Sequence, residues 1–270
     1  MDALGPLCVG IDPHPGLLHD WGLADDAAGL ERFCLTAVEA LAGSVAAVKP
    51  QSAFFERHGS AGVAVLERVV ADLRSAGTLC VVDAKRGDIG STMQAYADAY
   101  AGDSSPLAGD AVTVSPYLGF GSLRPLLDVA ATTGRGVFVL CLTSNPEGAS
   151  VQHATSDRGA VAAQVAAAAA AENPRRAGPL GSVGLVVGAT VGDAVQRLGI
   201  DLAAVNGPLL APGVGAQGAT AGDLREVFGD ARANVLASSS RGVLTAGPDV
   251  NALRGAARRE AERCAEALAG

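Results

Sequence analysis

Aromatic residues are scarce in this chain: six Phe, three Tyr and one Trp make up 4% of it. That leaves few flat surfaces on which the bases of a nucleic acid could stack. Basic residues are outnumbered, 20 Lys and Arg against 28 Asp and Glu, for a formal net charge of −8 and a pI near 5.0. A long-range pull on a polyanion is missing, and no nucleic-acid partner is expected. Long hydrophobic runs are missing too. The greasiest stretch, around Val161 to Ala171, is mostly alanine, is broken by Gln164 and falls short of the roughly 20 residues a membrane span needs. No membrane partner is therefore expected. The start, MDALGPLCVGIDPHP, lacks a basic n-region, so no secretory signal is read there. Cysteines number five (Cys8, Cys34, Cys80, Cys141 and Cys264), an odd count with no CxxC pair. They read as buried, reduced thiols of a cytoplasmic protein rather than as a disulfide framework. The histidines, His14, His19, His58 and His153, have no metal-ligand spacing; turn or solvent-facing roles are expected of them, and no metal site.

What the chain does have is apolar bulk, 49% of 270 residues, which excludes disorder. It also has 35 glycines, nearly twice the usual share of ~7%. Eight short apolar runs recur along it: Leu7–Asp12, Val45–Pro50, Leu79–Lys85, Ala111–Pro116, Gly136–Thr143, Val183–Thr190, Leu209–Gly215 and Asn234–Gly242. Runs greasy on both faces suit parallel strands covered on both sides. Between them, Asp25–Ala42, Gly62–Ser75, Ser122–Ala130 and Asp157–Glu172 carry helical spacing or helix-forming composition. Eight strands alternating with helices over about 250 residues predict an α/β fold of one kind, the (β/α)₈ TIM barrel. A doubly wound open sheet is the competitor, but no GxGxxG follows the first strand. No linker or repeat divides the chain, so residues 1–270 are expected to form a single domain.

In such a barrel the carboxyl ends of the strands face the active site. Read in order, those ends carry Asp12, Lys49, Asp83 with Lys85 and Asp88, Ser115, Thr143 with Ser144, Gln217 and Arg241. Lysine is seldom buried unless paired, so Lys49 and Lys85 require carboxylate partners. Asp83 and Lys85, two apart on a strand, point to one face, with Ala84 on the other. A second group, Pro212-Gly213-Val214-Gly215-Ala216-Gln217-Gly218 with Ser238-Ser239-Ser240-Arg241-Gly242, follows strands seven and eight. These are the loops with which barrels often bind phosphate. Glycines let backbone N–H groups approach an anion, and the guanidinium adds paired donors; Gly215, Ser240 and Arg241 are thus expected to bind substrate. A third segment, Thr143-Ser144-Asn145-Pro146-Glu147-Gly148, opens a long connection to Val183 that has the length of a lid.

The run Asp83-Ala84-Lys85-Arg86-Gly87-Asp88-Ile89 followed by Thr92, with Lys49 before Pro50, resembles the orotidine 5′-phosphate decarboxylase family. The likeness continues through Ser144, Pro212–Gln217 and Arg241, and the run Lys49–Glu56 resembles the family's longer bacterial class. The resemblance implies cofactor-free and metal-free decarboxylation of orotidine 5′-phosphate to UMP in pyrimidine synthesis. Lys85 would protonate C6, Asp83 would stand beside the substrate carboxylate, and Lys49 would orient and neutralise the pair. It further implies that Asp12 binds the ribose, that Ser144 and Gln217 meet the base, and that Gln217 and Arg241 meet the phosphate. A homodimer would carry Asp88 and Thr92 into the neighbouring site. The Asp-x-Lys-x-x-Asp motif alone also occurs in sugar-phosphate synthases and decarboxylases of the same superfamily, where its acids would serve a magnesium ion.

Overall fold

The computed structural model describes residues 1, 3–173, 180–214 and 219–269. Eight parallel strands close into a barrel in chain order: β1 (Leu7–Ile11), β2 (Ala47–Pro50), β3 (Leu79–Arg86), β4 (Ala111–Val114), β5 (Gly136–Leu142), β6 (Val183–Val187), β7 (Leu209–Pro212) and β8 (Val235–Ser239). Closure is made where Leu7, Cys8 and Val9 of β1 pair with Ala237, Ser238 and Ser239 of β8. The α/β barrel expected from the sequence is the architecture observed. Strands end one to three residues earlier than the apolar runs suggest in most cases, because the last residues of each run turn outward into the loops that hold polar side chains.

Two apolar layers hold the barrel. The lumen is filled by Cys8, Ala47, Val81, Ala111, Phe138, Val186, Leu210 and Leu236, the alternate residues of their strands. The opposite faces pack against the surrounding helices in a larger core. The helix Ala27–Leu41 shows how the sequence builds that layer. Asp26 caps it by accepting the Gly29 N–H at 2.8 Å, and Leu30, Phe33, Cys34, Ala37, Val38 and Leu41 form one buried stripe at helical spacing. Each large side chain of such a stripe contributes about 1.5–3 kcal/mol by leaving water. Trp21 packs into the same layer, its ring 4.1 Å from that of Phe33 and its Nε1–H donated to the Leu244 carbonyl at 3.0 Å.

Several expected helices have different bounds. The helix expected over Gly62–Ser75 begins at Gly59. The one expected over Ser122–Ala130 is a 3₁₀ turn, Phe120–Leu123, running into a helix over Arg124–Thr133. Residues Asp157 to Ala160, assigned to the alanine-rich helix, belong instead to a small ribbon of Thr155–Ser156 against Gly159–Ala160, and the helix starts at Val161. The connection from Thr143 to Val183 is thus occupied by regular elements through Glu172. Helices over Gly90–Ala101, Ala221–Phe228 and Val250–Ala269 complete the outer layer. All five cysteines are buried and free. Among the described residues, no helix is long and apolar enough to cross a membrane.

Candidate active site

A cavity of about 350 Å³ opens at the carboxyl ends of the strands. Asp12, Lys49, Asp83, Lys85, Ser144, Ser240 and Arg241, all singled out in the sequence, line it together with His14, Gln51, Thr143, Asn145 and Gly213. Barrel geometry brings this about: residues up to 229 positions apart (Asp12 and Arg241) meet because each follows or ends a different strand. Gly215 and Gln217 lie outside the described residues.

At the centre is the Asp83 carboxylate, and four side chains donate to it. On Oδ2 are Lys49 Nζ at 2.8 Å and Gln51 Nε2 at 2.9 Å. On Oδ1 are Lys85 Nζ at 2.6 Å and the Thr113 hydroxyl at 2.7 Å. Burial by itself would push the Asp83 carboxyl up, but the ammonium groups of Lys49 and Lys85 outweigh it and hold it well below the usual carboxylate range. Burial likewise works against the Lys49 ammonium, yet Asp83, and next Asp12, more than offset that and hold it above its usual value. The result is an alternating row, Lys49–Asp83–Lys85, in which the Asp83 carboxylate and the Lys49 ammonium stay ionised at neutral pH. Lys85 is its open end: its side chain is 43% exposed, against 7% for each of the other two. Beneath the row, burial first and then the nearby carboxylates push the Cys8 thiol up to about 12, so it is no nucleophile at neutral pH.

The strand alternation read for Asp83 and Lys85 is observed, with Ala84 turned into the outer core. Gln51 and Thr113 were not singled out as site residues. They come from the strands on either side of β3, and only the pairing register, with Gln51 bridged to Asp83 across β2 and β3, brings them in.

On the opposite wall, Ser240 Oγ and Asp12 Oδ1 are buried without a hydrogen-bond partner among the described residues. Two buried polar atoms left unpaired beside one cavity are suited to a polar ligand. Gly10 makes room for them, since a Cβ there would stand 3.0 Å from Asp12 Oδ2 and 3.1 Å from Ser240 Cβ. Gly213 lines the same wall with φ at 96°, a conformation only glycine adopts readily. The exposed Arg241 side chain supplies the cation at this end.

The segment after β5 is tied down by Gln152. Its Oε1 accepts the Thr143 N–H at 2.9 Å, and its Nε2 donates to Thr143 Oγ1 at 2.7 Å. Thr143 donates onward to Asn145 Oδ1 at 2.6 Å, which fixes the loop that carries Ser144. His14 stands at the mouth with its ring edge-on to Phe54 at 4.4 Å. His58 is neither solvent-facing nor in the cavity; only 11% of its side chain is exposed, 3.9 Å from Asp25. Ser115 is a strand-end residue that stays outside the cavity.

Asp88 and Thr92 also stay outside their own chain's cavity. The Asp88 carboxylate accepts the Ile89 N–H at 2.8 Å, and Thr92 is exposed on the first turn of the helix Gly90–Ala101. Around them Ile89 is 61% exposed, and on the adjacent loop after β4 Tyr117 and Leu118 are 76% and 53% exposed. Among the described residues no group of three or more His, Cys, Asp or Glu is arranged to hold a metal ion.

Comparison with known proteins gives consistent likenesses. The family model for the orotidine 5′-phosphate decarboxylase / HUMPS family matches residues 5–256. An orotidine 5′-phosphate decarboxylase of Salinispora arenicola is 64% identical over 266 residues, 98% of this chain and 94% of that one. A crystal structure from Streptomyces avermitilis superposes with a TM-score of 0.95 at 62% identity, covering 100% of this chain and 93% of the other. The OMP decarboxylase of Leishmania donovani superposes with a TM-score of 0.76 at 32% identity, covering 99% and 95%.

Proposed function

The chain belongs to the orotidine 5′-phosphate decarboxylase / HUMPS family, and from that premise we propose that it converts orotidine 5′-phosphate to UMP and carbon dioxide in pyrimidine synthesis. It is a carboxy-lyase that uses its own side chains, without cofactor or metal, as one domain over residues 1–270 in the cytoplasm. The observation that carries this reading is the Lys49–Asp83–Lys85 row opening onto a cavity whose far wall bears Ser240 and Arg241.

Loss of carbon dioxide from C6 breaks a C–C bond and leaves its electron pair in the plane of the ring, where the π system cannot take it up. Stabilisation has to be electrostatic and already in place. Lys85 is the ammonium at the open end of the row, and it donates its proton to C6 as carbon dioxide departs; solvent then reprotonates the amine. Asp83 faces the substrate carboxylate, and because four donors fix it, it cannot turn away. Lys49 neutralises and orients Asp83. Asp12 accepts from the ribose hydroxyls, Ser144 and Gln217 contact the base, and Gly215, Gln217, Ser240 and Arg241 hold the phosphate. Binding at the remote phosphate supplies energy to organise the reacting end, so substrates lacking it lose turnover as well as affinity.

Half-buried Asp88 and exposed Thr92, flanked by exposed Ile89, Tyr117 and Leu118, act in the site of a second copy of the chain, which makes the working unit a homodimer. The magnesium-dependent sugar-phosphate chemistry of related barrels is disfavoured by the donors around Asp83. Both of its oxygens already accept two hydrogen bonds, which occupies the positions a metal would need.

The test is an absorbance assay of purified protein with orotidine 5′-phosphate in EDTA. Conversion to UMP is expected. No turnover would overturn the reading, and turnover that vanishes in EDTA and returns with magnesium would move the chain to the metal-dependent branch.

A further inference from the structure

Thr113 enters the proposed reaction only as one of the four donors to Asp83, yet it also touches Lys85. Its β4 neighbours Val112 and Val114 pack outward beneath the helices, so alternation turns Thr113 into the barrel. The lumen directly beneath the charged row is apolar, with Val81, Phe138 and Val186 among its residues, and a valine has the same branched shape. A hydroxyl buried to 1% exposure is costly unless its hydrogen-bonding capacity is used. Here it is used twice, and both times on the charged row. The hydroxyl donates to Asp83 Oδ1 at 2.7 Å and accepts the Lys85 backbone N–H at 3.0 Å.

The second bond answers a particular defect of β3. Val82 pairs with Val112 and Arg86 with Val114, so Asp83, Ala84 and Lys85 stand against Thr113 alone. Three residues against one interrupt the ladder, and Lys85 takes a φ of 47°, a left-handed conformation disfavoured for a side chain of this kind. With its ladder partner lost, the Lys85 N–H is held by the Thr113 side chain instead. One hydroxyl thereby fixes both the carboxylate and the backbone from which the ammonium springs.

We propose that Thr113 is a positioning residue that sets Lys85 against Asp83 for the chemical step. It touches no substrate and acts through those two residues, so its effect belongs in kcat rather than in KM. The inference rests on the decarboxylase reading for its kinetic arm only.

The experiment compares Thr113→Val, Thr113→Ala and Thr113→Ser. Thr113→Val and Thr113→Ala should lower kcat about 10- to 100-fold, the scale of one lost hydrogen bond to a charged group, with KM within about threefold of the parent. Thr113→Ser, which keeps the hydroxyl, should recover most of the rate. Because Ser and Ala differ only in that hydroxyl, the pair decides the matter even where Val fails to fold. Independently of activity, hydrogen exchange of the Lys85 amide should speed up in the Val and Ala proteins and not in Ser. The proposal is overturned if Ser is as slow as Ala, if kcat is unchanged without the hydroxyl, or if Lys85 exchange is unaffected. It is equally overturned if only Ser folds, since the hydroxyl would then serve the fold. A parent enzyme inactive on orotidine 5′-phosphate would sink the decarboxylase reading and leave the exchange experiment to judge Thr113.

Discussion

Lys49 reaches from β2 to the Asp83 carboxylate of β3 at 2.8 Å, and both side chains are 93% removed from solvent. Buried pairs of this kind add little net stability against an apolar pair of equal shape, because both ions must leave water. Removing one member is different: without Lys49 the buried Asp83 carboxylate keeps Lys85 alone as a neutralising cation, and without Asp83 the buried ammonium loses its hydrogen-bonded partner. Lys49→Met should destabilise the protein by about 3 kcal/mol, read as a shift in the urea midpoint at constant slope. The double variant Lys49→Met/Asp83→Asn should lose less than the sum of the two single changes. Additive losses would mean that the pair is not coupled.

The same pair predicts a flat response to pH. The Asp83 carboxyl is lowered in the folded protein, so its contribution is fully present above its unfolded value, about 4. It is lost only as pH falls through the lowered folded value. The Lys49 ammonium is raised, so its contribution is complete below its unfolded value, about 10.4, and is lost only as pH rises through the raised one. The stability gap between the parent and Asp83→Asn should therefore be constant from about pH 5 to 9 and narrow below about pH 4. Urea titrations at stepped pH measure this, and a gap that drifts near neutrality would contradict the assigned shifts.

How far this site was legible in the sequence depends on which link each residue occupies. Asp83 and Lys85 follow from period-two alternation on a single strand, and Lys49, Asp12 and Arg241 from their places at strand ends. Gln51 and Thr113 do not follow, because they reach Asp83 from neighbouring strands 32 and 30 residues away in sequence. Pairing register is a tertiary property, and the three-against-one defect opposite Thr113 leaves no mark in the chain itself. The long helix Val250–Ala269 escaped for another reason: its buried face is Leu253, Ala256, Ala257, Glu260 and Cys264. A stripe so rich in small and polar residues gives weak apolar periodicity.

Arg241 is exposed at the cavity rim, and its part in the proposed site is to hold phosphate. Arg241→Ala should weaken UMP binding by roughly 10- to 100-fold, the loss of a charge-assisted hydrogen-bonding group. Uridine, which lacks the phosphate, should bind the two proteins alike. Titration calorimetry with both ligands makes the comparison. Equal losses for UMP and uridine would place Arg241 elsewhere in the site.

Asp88 lies outside the cavity of its own chain, whereas Lys85 is inside it. If Asp88 works in a second copy, every site is composite, and two inactive proteins can complement each other. Lys85→Ala removes the proton donor and should lower kcat by roughly 10³-fold or more, and Asp88→Ala should also be severely impaired. In a mixed dimer, one site carries both defects, and the other pairs the intact Lys85 of one subunit with the intact Asp88 of its partner. An equal mixture of the two variants, unfolded and refolded together so that subunits exchange, forms mixed dimers as about half of all dimers. It should regain about a quarter of the parent activity. Recovery well below that, in a sample shown by tagged subunits to contain mixed dimers, would confine Asp88 to its own chain and remove the case for a shared site.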